Sequence, residues 1–287
     1  MDKIQHKFAQ VNGLKIHAAE IGGESSPAVV LLHGFPEIWY SWRHQMIAVA
    51  EAGFRAIAPD YRGYGLSDPP PEPDKASFKD LVADLLSLLD ALAIQKEFVI
   101  GKHFGAVVAC LFARFHPQRV CGVITMGVPY LPISTPISST GPDHLPEGFY
   151  AARWQKPGRA EADFGHFDNK TVVRNVYILF SLNLANYGSL YENSGFQTAL
   201  KVPYRSMSET YNITNEKVEV PALLIMGEKD YTQKIPGMED YIKSDQVKAF
   251  VPKVETVFVP EGSHFVQEQF PHQVNHLILN FLQITNV

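Results

Sequence analysis

Apolar runs of strand length alternate along this chain with segments of helical period, and that alternation restricts the fold more than any other feature. After Pro27 the run "AVVLL" is continuous rather than alternating, as a strand covered on both faces must be. "WRHQMIAVAEAG" then reads as helix, "FRAIAP" as strand, "SFKDLVADLLSLLDALAI" as helix, "EFVIG" as strand, "FGAVVACLFARF" as helix and "VCGVITMGV" as strand. In the second helix Ser77 stands three residues before Asp80 as a capping box, and Phe78, Leu81, Val82, Leu85, Leu89 and Leu92 mark one buried face. Such alternation makes a parallel sheet with helices on both sides.

Two antiparallel strands precede this unit. "KFAQVNGLKIHAAEIG" alternates polar and apolar residues on either side of Asn12-Gly13, the preferred pair for a tight hairpin turn. From about Pro129 to Asn215 the pattern changes to Pro, Gly and aromatic residues scattered among short helical pieces such as "KTVVRNVYILFSL". "PALLIMGEKD", "PGMEDYIKS", "VETVFVPEGSH" and "QVNHLILNFLQ" then resume the earlier rhythm. The expected organisation is one α/β core built from residues 1–129 and 216–287, interrupted at 130–215 by an inserted, mainly helical lid.

Composition narrows the partners. With 46% hydrophobic residues the chain of 287 can bury a substantial core, and a net charge of -5 leaves no basic footprint for nucleic acid or an anionic membrane surface. The default partner is a small molecule, and the expected assembly is a monomer or weak homodimer. Cys110 and Cys121 lie in apolar segments without metal-type spacing and read as core thiols. Neither GxGxxG nor P-loop spacing occurs, so no nucleotide or redox cofactor is expected. "MDKIQHKFAQ" lacks the apolar stretch of a signal peptide, and no run reaches the roughly 18 residues of a membrane span. The expected compartment is the cytosol, where the sequons at Asn169 and Asn212 are chance matches.

Chemistry concentrates at three strand ends. "VIGKHFGAVV" has the outline of a strand, a sharp turn bounded by Gly101 and Gly105, and a helix, with His103 at the apex. Glycines at such a turn admit a strained backbone that presents the apex side chain at the edge of the sheet. Asp230 follows the strand "ALLIM", and His264 follows "VETVFVP". Singly these residues read as a surface histidine, a loop cap and a turn residue. All three, each directly after a strand and in the order apex, acid, histidine, match the arrangement of α/β-hydrolases. Asp230 would then orient the His264 ring and leave its other nitrogen to move protons.

"HGFPEIWYSWRHQM", "APDYRGYGLSD", "GEKDY" and "PEGSHFVQEQFP" together resemble the soluble epoxide hydrolases of plants, within the α/β-hydrolase superfamily, over nearly the whole chain. The resemblance implies the α/β-hydrolase fold and an enzyme with an elbow aspartate, a His-Asp pair and two lid tyrosines that hydrogen-bond an epoxide oxygen. "GFYAARWQKPG" is similar to the segment bearing the first tyrosine, which points to Tyr150, and "VPYRSM" to the second, which points to Tyr204. The backbone amides of Phe35 and Phe104 fall where the family forms its oxyanion hole. Phe149, Trp154, Phe164, Phe180 and Tyr191 suggest an apolar pocket beneath the lid, and Phe149 and Trp154 are its candidate lining. A small apolar plant metabolite is the implied substrate class.

One departure changes the expected chemistry. Where the family reads Gly-His-Asp-Trp-Gly, this chain reads Gly-Lys-His-Phe-Gly. An aspartate opens an epoxide to an ester that water can hydrolyse; an alkylated imidazole has no acyl carbon for water to attack. Three outcomes remain: acid/base chemistry within the substrate, giving cyclisation, rearrangement, elimination or isomerisation; hydrolysis by directly activated water; or a pocket retained for ligand binding alone. His33, His103 and His264 could in principle hold zinc, but no metal is expected because His33 belongs to the structural "HG" motif. Lys102 either adds positive potential or points to solvent, the commoner disposition of a lysine.

Overall fold

A computed structural model describes residues 3–131, 149–177, 184–207 and 216–285. Its centre is an eight-stranded sheet in the order β1-β2-β4-β3-β5-β6-β7-β8. The strands are β1 (Gln5–Val11), β2 (Leu14–Ile21), β3 (Ala28–Leu32), β4 (Arg55–Pro59), β5 (Glu97–Lys102), β6 (Val120–Met126), β7 (Ala222–Gly227) and β8 (Val254–Val259). β2 pairs antiparallel with β1 and β4, and every other neighbouring pair is parallel. The hairpin turns at Asn12 and Gly13, both at positive φ (47° and 82°), and Val11 pairs with Leu14 across a two-residue loop whose twist suits the strands.

All residues of β3, β4, β5 and β7 are buried, because helices cover the sheet on both faces. The covering helices include α1 (Arg43–Glu51), α2 (Phe78–Ala91), α3 (Phe104–Phe115) and the C-terminal helix Pro271–Thr285. On α2 the expected face from Phe78 to Leu89 is buried, while Leu92 lies one residue past the helix and is half-buried. Asp80 accepts from the Ser77 N–H, which fixes the start of α2. Asp84 is also buried there, taking two bonds from Arg62 at 2.7 Å and one from Asn12 at 2.9 Å. This charge-assisted link ties α2 to the hairpin.

Between β6 and β7 the described residues form the short helices Tyr150–Arg153, Arg159–Phe164, Asn169–Tyr177 and Leu184–Leu190 and a 3-10 turn at Tyr204–Ser206. Phe180 and Asn212 lie outside the described residues. Two polar clamps hold this insertion to the core. The Arg205 guanidinium donates to both Glu161 oxygens at 2.7–2.8 Å, to Asp74 at 3.2 Å and to the Trp154 and Lys156 carbonyls. On the other side Glu268 accepts from Arg43 at 2.7 and 2.8 Å and from Tyr187 at 2.5 Å. Among the described residues no helix is long and apolar enough to cross a membrane.

Candidate active site

β5 ends at Lys102 and α3 begins at Phe104, so the turn between them consists of His103 alone, at φ 56°, ψ −127°. A non-glycine residue persists there only if its surroundings over-determine it. They do so by contact. A Cβ added at Gly101 would lie 2.2 Å from the Gly105 carbonyl oxygen, and one at Gly105 would lie 2.4 Å from the carbonyl oxygens of Leu32 and His33. The two glycines let β5, α3 and the end of β3 touch through backbone, which forces the apex side chain outward into the site.

His103 is buried, and each ring nitrogen is engaged. Nδ1 accepts the Phe35 N–H at 3.1 Å, so the ring proton sits on Nε2, 2.5 Å from the Tyr150 hydroxyl. Burial, then the neighbouring His264 and Lys102, pushes the His103 pKa well below 6.5 and keeps the ring neutral. It is a hydrogen-bond donor with no free lone pair. The Phe35 amide, expected in an oxyanion hole, is occupied by this imidazole. Phe104 is the first residue of α3, and its ring packs on Tyr61, Tyr64, His33 and Tyr204.

His264 follows β8, and its Nδ1 lies 2.9 Å from both oxygens of Asp230, which follows β7. The Thr232 N–H and hydroxyl donate to the same carboxylate at 2.9 and 2.8 Å. Burial opposes ionisation of Asp230, but the facing His264 and these bonds hold its carboxyl below the ordinary range. Burial, then Lys102, draws His264 down against the pull of Asp230. The pair is therefore a carboxylate holding a neutral imidazole by Nδ1–H. Nε2 of His264 is buried and has no hydrogen-bond partner among the described residues, and the ring stands at 90° to His103 with centroids 5.2 Å apart. It is a base with a free lone pair.

Tyr150 opens its helix above His103, and burial pushes its phenol up to about 12, so it stays protonated. Tyr204 packs against Tyr150 (5.8 Å), Trp154 (5.0 Å) and Phe35 (6.0 Å), and its buried hydroxyl lies near that of Tyr150 without a well-formed hydrogen bond to it. Phe149 is half-buried, 5.0 Å from the Tyr150 ring. Trp154 is buried, with its indole N–H on Asp163 at 3.0 Å. Phe164 packs on Trp154, and Tyr191 stacks on Phe196.

Two residues stand differently from the expectation or were not singled out. Lys102 does not point to solvent: it is fully buried, 3.8 Å from Glu37 and over the Phe265 ring. The cause is its place at the end of a strand covered on both faces. Burial lowers its amine and raises the Glu37 carboxyl. Tyr231, the last residue of "GEKDY", brings a third phenol into the site, with its hydroxyl 3.3 Å from that of Tyr150 and its ring 4.6 Å from His264. His33 binds Gly34 O through Nδ1 and accepts the Tyr61 N–H at Nε2, with its pKa lowered to about 4 by burial. Both its nitrogens serve the backbone, and among the described residues no His, Cys, Asp and Glu side chains gather as a metal site.

A family model for the alpha/beta hydrolase fold matches residues 27–271. Epoxide hydrolase 1 of Siraitia grosvenorii is 34% identical over 99% of both chains. Among solved structures, an epoxide hydrolase of Vigna radiata superposes with a TM-score of 0.89 at 31% identity, over 99% of each chain. Epoxide hydrolase I of potato gives 0.86 at 34% identity, over 98% of this chain and 99% of that one. A match that spans the sheet, the elbow, the acid and the histidine together makes this chain a member of the alpha/beta hydrolase family, of the epoxide hydrolase-like kind.

Proposed function

We propose that the chain catalyses non-hydrolytic acid/base chemistry on a small apolar, oxygen-bearing metabolite held between the sheet edge and the insertion, which acts as its lid. His264, oriented by Asp230, takes a proton from a hydroxyl, amine or acidic C–H of the substrate. Tyr150 and Tyr204 donate to the substrate oxygen on which charge develops. For an epoxide, the internal nucleophile loses its proton to His264 and forms its new bond as the C–O bond breaks; the oxygen takes a proton from Tyr150 or Tyr204, and the proton on His264 then passes to that phenolate. The product is a cyclised or rearranged isomer of unchanged mass.

The observation that carries this reading is the bond from the Phe35 N–H to His103 Nδ1, which assigns the ring proton to Nε2. With Nδ1 engaged by the Phe35 N–H and Nε2 protonated toward Tyr150, the apex has no lone pair with which to open an epoxide. The same bond occupies an amide that would stabilise a tetrahedral oxyanion, so acyl transfer loses support as well. A second reading, hydrolysis by water activated at His264, is favoured by the relatives described as epoxide hydrolases.

Incubation with epoxide probes and plant metabolite extracts, followed by mass analysis, tests both. Unchanged mass with altered retention supports isomerisation. A gain of one water, labelled from oxygen-18 water in a single turnover, supports the second reading, and saturable binding without product overturns both. His264→Ala should lower turnover by about 100-fold or more, the lower range for loss of a general base.

A further inference from the structure

Tyr150 is held by more than the apex histidine. Because Nδ1 of His103 accepts an amide proton, the Nε2 proton must point at the Tyr150 oxygen, and the hydroxyl proton of Tyr150 must then be aimed elsewhere. The Tyr231 hydroxyl lies 3.3 Å from the Tyr150 oxygen. Tyr231 is itself braced, with its ring against His264 (4.6 Å) and Phe149 (6.4 Å) and its backbone one peptide bond after Asp230.

We propose that Tyr231 is a positioning residue for the donor side of the site, giving its hydroxyl proton to the Tyr150 oxygen so that Tyr150 presents its own to the substrate. Two donors on one phenol oxygen, His103 Nε2–H and Tyr231 O–H, fix the hydroxyl rotor and stabilise the charge Tyr150 acquires as it donates. The bond at 3.3 Å is long, so a substrate oxygen arriving at Tyr150 can shorten and polarise the chain. Burial pushes Tyr150 up, and Tyr231 first, then Tyr204, work in the opposite direction. Residues 230 and 231 thereby divide the labour: the carboxylate orients the base and the following phenol orients the acid. This inference rests on the proposed role of Tyr150 and adds the residue that sets it.

The test uses two unreactive probes of similar shape, 4-phenyl-2-butanone, which carries an acceptor oxygen, and butylbenzene, which carries none. Tyr231→Phe keeps the ring against His264 and removes only the hydroxyl. It should weaken ketone binding by about three- to tenfold, the range of one net hydrogen bond, and leave butylbenzene unchanged. Equal losses for both probes, or no loss for either, overturn the inference. Should Tyr150→Phe leave ketone binding intact, Tyr150 is not the donor and the proposed function falls too; should only Tyr231→Phe be silent, the present inference falls alone. Unmutated protein labelled at tyrosine Cζ gives an independent readout: the ketone should shift both Tyr150 and Tyr231 resonances, and a shift at Tyr150 alone rules out the link.

Discussion

The apex histidine sits in backbone geometry that costs on the order of 1–3 kcal/mol for a non-glycine residue, and the contacts of Gly101, Gly105 and Gly34 keep it there. What that strain secures is a neutral donor. Nitrogen-15 spectra should show His103 Nδ1 as the unprotonated, hydrogen-bonded type and Nε2 as the protonated type, with His264 reversed. Both pKa values are lowered from 6.5, by burial first. A group so shifted is neutral throughout the range above its lowered pKa and gains charge only as pH falls through it. At pH 6.5, where a free imidazole is half protonated, both rings should therefore be mostly neutral, His103 the more so. Protonation of His103 near 6.5 would break the Phe35 bond and contradict the assignment.

At the scale of elements, His103, Asp230 and His264 lie at or just beyond strand ends, whereas Tyr150 and Tyr204 ride on an insertion whose place depends on the clamps. Arg205 follows Tyr204 directly and is almost fully buried beneath four partners. Arg205→Met would leave the partly exposed Glu161 carboxylate to water and two carbonyls without their donor, a loss of about 1–3 kcal/mol. The melting temperature should fall by several degrees, read by calorimetry, and Arg205→Lys should recover only part of it because an ammonium cannot reproduce the bidentate fork. Much of this architecture was legible beforehand for local reasons. Asn12-Gly13 announces its turn, and the glycines of "GKHFG" announce an elbow. Asp230 and His264 are each adjacent to an apolar strand. Of the two dispositions open to Lys102, solvent is ruled out by its position in β5, where every side chain is covered, and the added positive potential on His103 and His264 remains. The sequence does not single out Tyr231, because its place beside Tyr150 brings together residues 81 apart, and no local pattern encodes that contact.

Across the whole molecule, one sheet gathers residues from four widely separated stretches at the C-terminal ends of its parallel strands, and Tyr150 and Tyr204 of the insertion pack against them. Membership of the alpha/beta hydrolase family accounts for the frame, including the acid and histidine. At the elbow His103 stands between β5 and α3, whose strand and helix are kept, and the proposed reaction rests on that one side chain. The imidazole lodged against the Phe35 amide has a practical corollary for detection. Fluorophosphonate reagents, which tag hydrolases by phosphonylating an activated apex hydroxyl, meet here a ring with nothing to give. Intact-mass measurement after such treatment should find the polypeptide unmodified, and a survey that counts hydrolases by that tag would pass over it.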